Sequence, residues 1–475
     1  MIYLIAIFIY LFVLAGIGVY KSRQVRTQQD FAVAGRTLSP WIMVLTMLAV
    51  WIGTGSIVGN AEEAYRTGAA ALIIPFGTFT GMILLSFTAT RARNIEASSV
   101  PEIIGSRFGQ VARFLAVIAL IMAYMVIVSY QFNAGGAVIE VISGYTVNKE
   151  TATIIAGSFI IVYTMLAGLK SLASMDIVTG TIIIVTLLIT FPVLLFKAGG
   201  FGGMQEAYEA MEGRTSHMQF WGVYSPVQII NYLLPTFLLV MGDANQYQRI
   251  FASRNAQGAR RAVIVLIFAA LMIELLIIGS AWVAGSMTPD PANGKYILIY
   301  AAHNHMPFVL GLLFMITVVG IIVSTADSFL LVPATTFIND VYSVYINPKA
   351  SQKRVVFISR VLLLGFGVAA YLVTHAFAEN TGFFKKALYA YTIYGSAVTP
   401  ALVAALFWKG ATKAGAIASI LAGAVTTLLW GEVIKDHLPT QVAELDAVLP
   451  AITLSVIFLI AVSLFTRKQQ PSGGD

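Results

Sequence analysis

The sequence predicts an all-α membrane protein of thirteen transmembrane helices, built as an inverted 5+5 helix repeat in which the second and seventh spans are broken. Three observations lead there. The 475 residues are 58% hydrophobic and only 11% charged, with a mean hydropathy of +0.83, whereas soluble domains are about a quarter charged. Apolar runs close to the roughly 20 residues that cross about 30 Å of hydrocarbon recur along the whole chain. Two of these runs, five apart in the count, are interrupted by glycine and polar residues.

In order, the first span covers 2–20. No basic segment precedes it and its positive cluster follows it, so it reads as an uncleaved span and not a signal peptide. The second, 39–60, places Trp51, Gly53, Thr54, Gly55, Ser56 and Gly59 where leucines would be ordinary. The third to sixth cover 68–90, 111–144, 151–168 and 176–197, the last with Asp176 at its inner end. The seventh, 227–247, runs into LVMGDANQYQR, residues 239–249. Spans at 262–287, 307–335, 355–377, 384–408, 412–431 and 448–466 complete the set. The domains are then 1–38 (first span and inner loop), 39–200 and 201–409 (the two repeats), and 410–475 (two further spans and a short tail).

Lysine and arginine set the orientation, because positive loops stay in the cytoplasm. With the N-terminus outside and the C-terminus cytoplasmic, 21 of the 29 fall on inner segments, among them Lys21, Arg23, Arg26, Arg36, Arg91, Arg93, Arg107, Arg249, Arg254, Lys409 and Lys468. This placement, in the cell membrane, accounts for the net charge of +7, so no nucleic-acid partner is inferred. Cysteine is absent, which removes disulfides, thiolate nucleophiles and sulfur metal sites. The five histidines, 217, 303, 305, 375 and 437, fall in or beside outer loops, and no transition-metal site is expected. No constellation of nucleophile, metal ligands or paired acids suggests an enzyme. A transporter-like nutrient sensor is the reading from another class, and no signalling domain follows Phe465 to favour it.

Irregular backbone at membrane depth is tolerated only where protein or a water-filled cavity surrounds it. Secondary transporters use such breaks, at matching places in two inverted repeats, to offer carbonyls and dipoles to their ligands. Close approach of small residues is the plainer explanation of the glycines. In the ninth span Ser324, Asp327 and Ser328 stand at i, i+3 and i+4 with Thr325 adjacent, which puts them on one helical face. An acid at that depth is by default functional, and hard cations seek such oxygens; back-bonding of the hydroxyls to their own helix is the alternative. Trp51 can stack on a ligand or attract a cation to its face. Gln131, Asn133, Gln246, Tyr391 and Tyr394 are polar groups on apolar helices that require partners.

Over roughly residues 30–410, AGRTLSPW, SSVPEIIGSRFG, YTMLAGLKSLASMD and VSTADSFLLVPATTFINDVY together resemble the sodium:solute symporter family, whose inverted five-helix-repeat fold was first known from the leucine transporter. The resemblance implies alternating access, sodium as the coupling ion, a small organic solute as cargo, lipid surroundings and no obligate protein partner. Carried over by position, it implies sodium on the carbonyls of Ala49, Ile52 and Ile321 and the hydroxyls of Ser324 and Thr325. Some members hold a second sodium between an acid at the place of Asp176 and two serines; here Asp327 replaces one serine and Ser328 keeps the other. A second cation or a proton shared by Asp176 and Asp327 both remain open, as does helix capping by Asp176. AVWIGTGSIVGNAEEAY and YQRIFAS look most like the choline-transporter branch, where the residue at Trp51 belongs to an aromatic box. An amine or other organic cation is therefore expected, with an amino acid, sugar or carboxylate as the alternative. The second tryptophan of that box is missing, and Asp243 stands in its place, either to meet an amine, to cap a helix or to pair with Arg249.

Overall fold

The computed structural model describes residues 2–22, 27–144, 146–166, 168–375, 382–437 and 444–467. Arg23, Arg26 and Lys468 of the positive clusters lie outside them. The described chain is helical throughout, with one isolated bridge between Leu38 and Ser253. In order, the helices are α1 (Ile2–Ser22), α2 (Gln28–Val33), α3 (Pro40–Trp51), α4 (Ala61–Thr67), α5 (Pro75–Asn94), α6 (Val100–Phe108), α7 (Gln110–Ile142), α8 (Lys149–Leu166), α9 (Leu169–Lys197) and α10 (Gly200–Ala210). There follow α11 (Pro226–Gly242), α12 (Ala244–Ala252), α13 (Ala256–Ser286), α14 (Ile297–Asn304), α15 (Phe308–Phe337), α16 (Gln352–Thr374), α17 (Phe383–Ala397), α18 (Thr399–Phe407), α19 (Lys413–Leu429) and α20 (Val448–Arg467).

Described helix lies within each of the thirteen predicted segments. Among the described residues nine helical stretches are long and apolar enough to cross a bilayer, and ten when α3 is joined across its bend to Gly55–Ile73. The three remaining segments are α5, which ends in Arg91–Asn94, α8, which begins Lys149–Glu150, and α19, which is only 17 residues long. Local signals set the starts. Ser39 and Pro40 open α3, Ser225 and Gln228 form a capping box at α11, and Asn255 caps α13. One boundary differs from expectation in a way that matters. α9 begins at Leu169, so Asp176 sits about two turns inside it and is buried, where it cannot act as a first-turn cap.

α15 is the axis of the bundle: it is buried along most of its length and packs on α3, α7, α9 and α12. α12 wedges between α3, α5 and α15, with all of its residues buried. By contrast α1 presents Phe8 and Phe12 outward, as does α20 with Phe465, as expected of helices facing lipid. The segment before α3 is stitched to the end of α12. Leu38 N donates to Ala252 O at 3.0 Å and Arg254 N to Leu38 O at 3.2 Å, while Arg254 Nε reaches Thr37 O at 2.7 Å.

Candidate functional site: two helix breaks and a buried charge cluster

The second span comes apart after Trp51. Ile52 turns extended (φ −74°, ψ 95°), a π-helical segment runs from Gly55 to Asn60, and the two halves meet at 56°. Gly53 is required by crowding: a Cβ there would lie 2.9 Å from Thr325 Cγ2 and 3.0 Å from Gln131 Nε2. The hydroxyls of α15 reach the freed end of α3. Ser324 Oγ stands 3.4 Å from Ala49 O, and Thr325 Oγ1 stands 3.4 Å from Val50 O and 3.3 Å from Ile52 O. These approaches run across to α3 instead of back along α15. Ile321 lies one turn before Thr325 and is buried. Gln131 Oε1 accepts from the Thr54 hydroxyl and, at 3.4 Å, from Thr54 N, which ties α7 to the break.

Directly beside these oxygens is a buried charge cluster. Asp176 accepts from Ser324 Oγ at 2.6 Å and from the Thr46 hydroxyl. Arg249 Nη2 lies 3.5 Å from Asp176 Oδ2 and donates to Ser328 Oγ at 2.7 Å. Ser328 in turn donates to Asp327 Oδ1 at 3.1 Å. Arg249 Nε contacts Thr46 Oγ1 at 3.3 Å. The expectation that Arg249 is an inner-loop residue, available to Asp243, fails: it is fully buried on α12 and faces Asp176 and Ser328. Three ionisable groups thus share one water-poor site, with one cation against two acids.

The seventh-span interruption falls at Asp243. Its Oδ1 accepts from Asn245 N at 3.1 Å, which caps α12, and from Tyr124 Oη at 2.5 Å. Tyr394 Oη donates to Gly242 O at 2.8 Å and so satisfies a carbonyl the break leaves free. Gln246 Nε2 approaches Met47 O at 3.4 Å. The structure therefore assembles Asp243, Gln246 and Tyr394 around the second break. Of the residues expected to meet solute, Trp51 and Tyr391 line one cavity, together with Gly55, Asn60, Thr236 and Phe384, of about 20 Å³. That space admits about one water molecule. Asn133 lines a different cleft of about 420 Å³ with Lys149, Lys295 and Lys386.

Glu274 was not anticipated. It sits midway along α13 with 2% exposure, and its Oε1 accepts from Trp51 Nε1 at 2.7 Å and from Thr78 Oγ1 at 3.4 Å. The signal was present, since AALMIELLIIG carries one acid deep in an apolar span, and such acids are functional by default.

Two interrupted helices meeting an oxygen-lined, charge-bearing centre define a membrane transporter of the broken-helix type. The profile of the sodium:solute symporter family matches residues 31–423, and the chain belongs to that family. It is a symporter coupled to sodium that carries an organic solute, and not an enzyme. An osmoregulated proline transporter of Bacillus subtilis is 24% identical over 98% of this chain and 95% of its own. A sodium/proline symporter of Haemophilus influenzae is 25% identical over 98% and 95%. Among solved structures, a Na+-coupled sialic acid symporter in a substrate-bound outward-open state superposes with a TM-score of 0.81 at 15% identity, over 98% of both chains. These relatives give no support to the choline branch; the cargo they support is an organic solute, not specifically an amine or organic cation. The Trp51 motif misled because an indole beside a break suits many solutes, and here its N–H is engaged by Glu274.

Proposed function

We propose that sodium binds where α15 meets the broken end of α3, held by the carbonyls of Ala49, Ile52 and Ile321 and the hydroxyls of Ser324 and Thr325, and that the solute lies beside Trp51 and Tyr391. One observation carries this reading: the hydroxyl–carbonyl separations of 3.3–3.4 Å across the two helices. They exceed the usual 2.5–3.0 Å of hydroxyl hydrogen bonds, a range of about half an ångström. Two oxygens bound at right angles to one hard cation at about 2.4 Å stand about 3.4 Å apart. The solute is a small amino acid, a class supported by the proline transporters among the relatives.

In this reading residues 39–200 and 201–409 act as the two inverted repeats, with the N-terminus outside and the C-terminus cytoplasmic. Sodium draws α3 against α15, completes the adjoining solute pocket and favours closure on the outer side; opening on the inner side releases both. Asp176, Asp327 and Ser328 form the second polar position. Arg249 already supplies one positive charge there, which leaves the equivalent of one negative charge for a second sodium or a proton. Uptake of labelled proline into proteoliposomes under an imposed sodium gradient tests the primary site. Replacing Ser324 and Thr325 together by alanine should abolish sodium dependence; sodium dependence equal to wild type would remove the site from α15. Uptake driven by a proton gradient without sodium, and lost in Asp327→Asn, would favour proton coupling instead.

A further inference from the structure

We propose that Glu274 recognises the protonated nitrogen of the co-transported amino acid, through a hydrogen bond from that nitrogen to its Oε2; this rests on the reading that solute lies beside Trp51. Among the described residues Glu274 is the one charged side chain lining the Trp51 cavity. One of its oxygens is engaged by Trp51 and Thr78, while Oε2 is buried and has no hydrogen-bond partner among the described residues. Leaving a buried carboxylate oxygen unmet is costly. No described lysine or arginine lines the cavity, so a bound ligand is placed to supply the donor and the counter-charge. The rings of Trp51, Phe384 and Tyr391 beside it offer apolar walls for a small hydrocarbon body and faces that favour a cation.

Two features narrow the class. An unmet acceptor requires an N–H or O–H donor, and of the cationic nitrogens only one that keeps an N–H can supply it; a quaternary nitrogen cannot. Phe384 lines this cavity and its neighbour Phe383 lines the larger cleft, whose lining carries Lys149, Lys295 and Lys386 against Glu150, with Glu62 acting on Lys295 and Lys386 from beside it, a balance that stays positive. Such a lining favours the approach of a carboxylate and disfavours a simple amine. A zwitterion with N–H on its cationic nitrogen satisfies both. At about 20 Å³ the cavity holds a water molecule only, so its walls must part before a solute can enter. The Trp51–Glu274 bond gives the acid a second role, because an indole fixed by it holds its ring against the cavity instead of rotating into it.

The test uses the purified full-length protein, with thermal stabilisation measured in sodium and in potassium. The probes are proline, N,N-dimethylproline, which has no N–H, and tetrahydrofuran-2-carboxylate, which has no cationic nitrogen; the other protein amino acids follow as a panel. Wild type should be stabilised by sodium alone, and further by proline or another panel member but by neither analogue. Glu274→Gln should keep the response to sodium, lose amino-acid affinity by about 10- to 150-fold, the range for a hydrogen bond to a charged group, and cease to distinguish proline from the oxygen analogue. Glu274→Asp, which keeps the charge, should retain that distinction. Unchanged affinity in Glu274→Gln, or dimethylproline bound as tightly as proline by wild type, overturns the proposal while leaving the transport reading intact. Loss of the sodium response in Glu274→Gln would make the residue structural and also overturn it. If no amino acid stabilises wild type in sodium, the solute class itself is wrong, and the proposal falls with it.

Discussion

Replacing Arg249 by glutamine should destabilise the protein severely, and sodium should recover part of the loss. The guanidinium is fully buried and lies 3.5 Å from Asp176 Oδ2. Two unit charges at that separation attract by about 5 kcal/mol at an effective dielectric of about 20. Removing one partner of a buried pair typically costs about 3–5 kcal/mol, because the other charge is left uncompensated. Here the abandoned acids are Asp176, which accepts from Ser324, and Asp327, which accepts from Ser328. The site left behind is an anionic oxygen cage, so sodium should stabilise Arg249→Gln more than it stabilises wild type. Adding Asp176→Asn removes one unpaired acid and should restore at least half of the lost stability. The assay is the unfolding midpoint of the detergent-solubilised protein, in sodium and in potassium, for wild type, the single variant and the double variant. A single variant with the wild-type midpoint, or a double variant no more stable than the single, would refute the assignment of Arg249 as the internal counter-ion.

Gly53→Ala should cost about 1–3 kcal/mol by overpacking and blunt the stabilisation by sodium, since the new methyl group would meet Thr325 and Gln131; Gly202→Ala, with open space around it, serves as the control. Equal sodium responses in the two variants would contradict the role given to the first break. Between α10 and α11, outside the spans, His217 is held below the ordinary histidine range by burial, with Arg214 pushing in the same direction. A histidine depressed on folding contributes stability above its unfolded value of about 6.5 and loses it as pH falls towards the folded value. The unfolding midpoint should therefore drop between neutral pH and about pH 5.5, and His217→Asn should flatten that drop; identical profiles would exclude the residue as a cause.

The two breaks were readable from glycine in apolar runs, because no leucine-rich helix needs Trp51, Gly53, Gly55 and Gly59 within nine positions. The shared face of Ser324, Asp327 and Ser328, with Thr325 adjacent, was readable from helical periodicity. Arg249 was misplaced because it follows the polar stretch ANQYQ and precedes Arg254, Arg260 and Arg261, so it looked like the start of a loop. Its burial depends on α12 continuing past the break into a space walled by α3, α5 and α15, which only tertiary packing decides. Asp243 was ambiguous for a related reason: a short acid between two helical segments suits a ligand or a cap equally, and the geometry at Asn245 N gives it a cap's bond. Glu274 was legible and simply outweighed by the motifs around it.

The stitch between Leu38 and the end of α12 has a mechanical consequence. Both interrupted helices, α3 through its leader and α12 through its last residues, hang from one main-chain fastening. If sodium draws α3 towards α15 as proposed, it also tugs on α12, and on the guanidinium that α12 carries, through this fastening. The linkage works as a shared fulcrum for two short levers. Because the bonds at Leu38 run from main chain to main chain, it tolerates side-chain drift in the loop while keeping the levers in step.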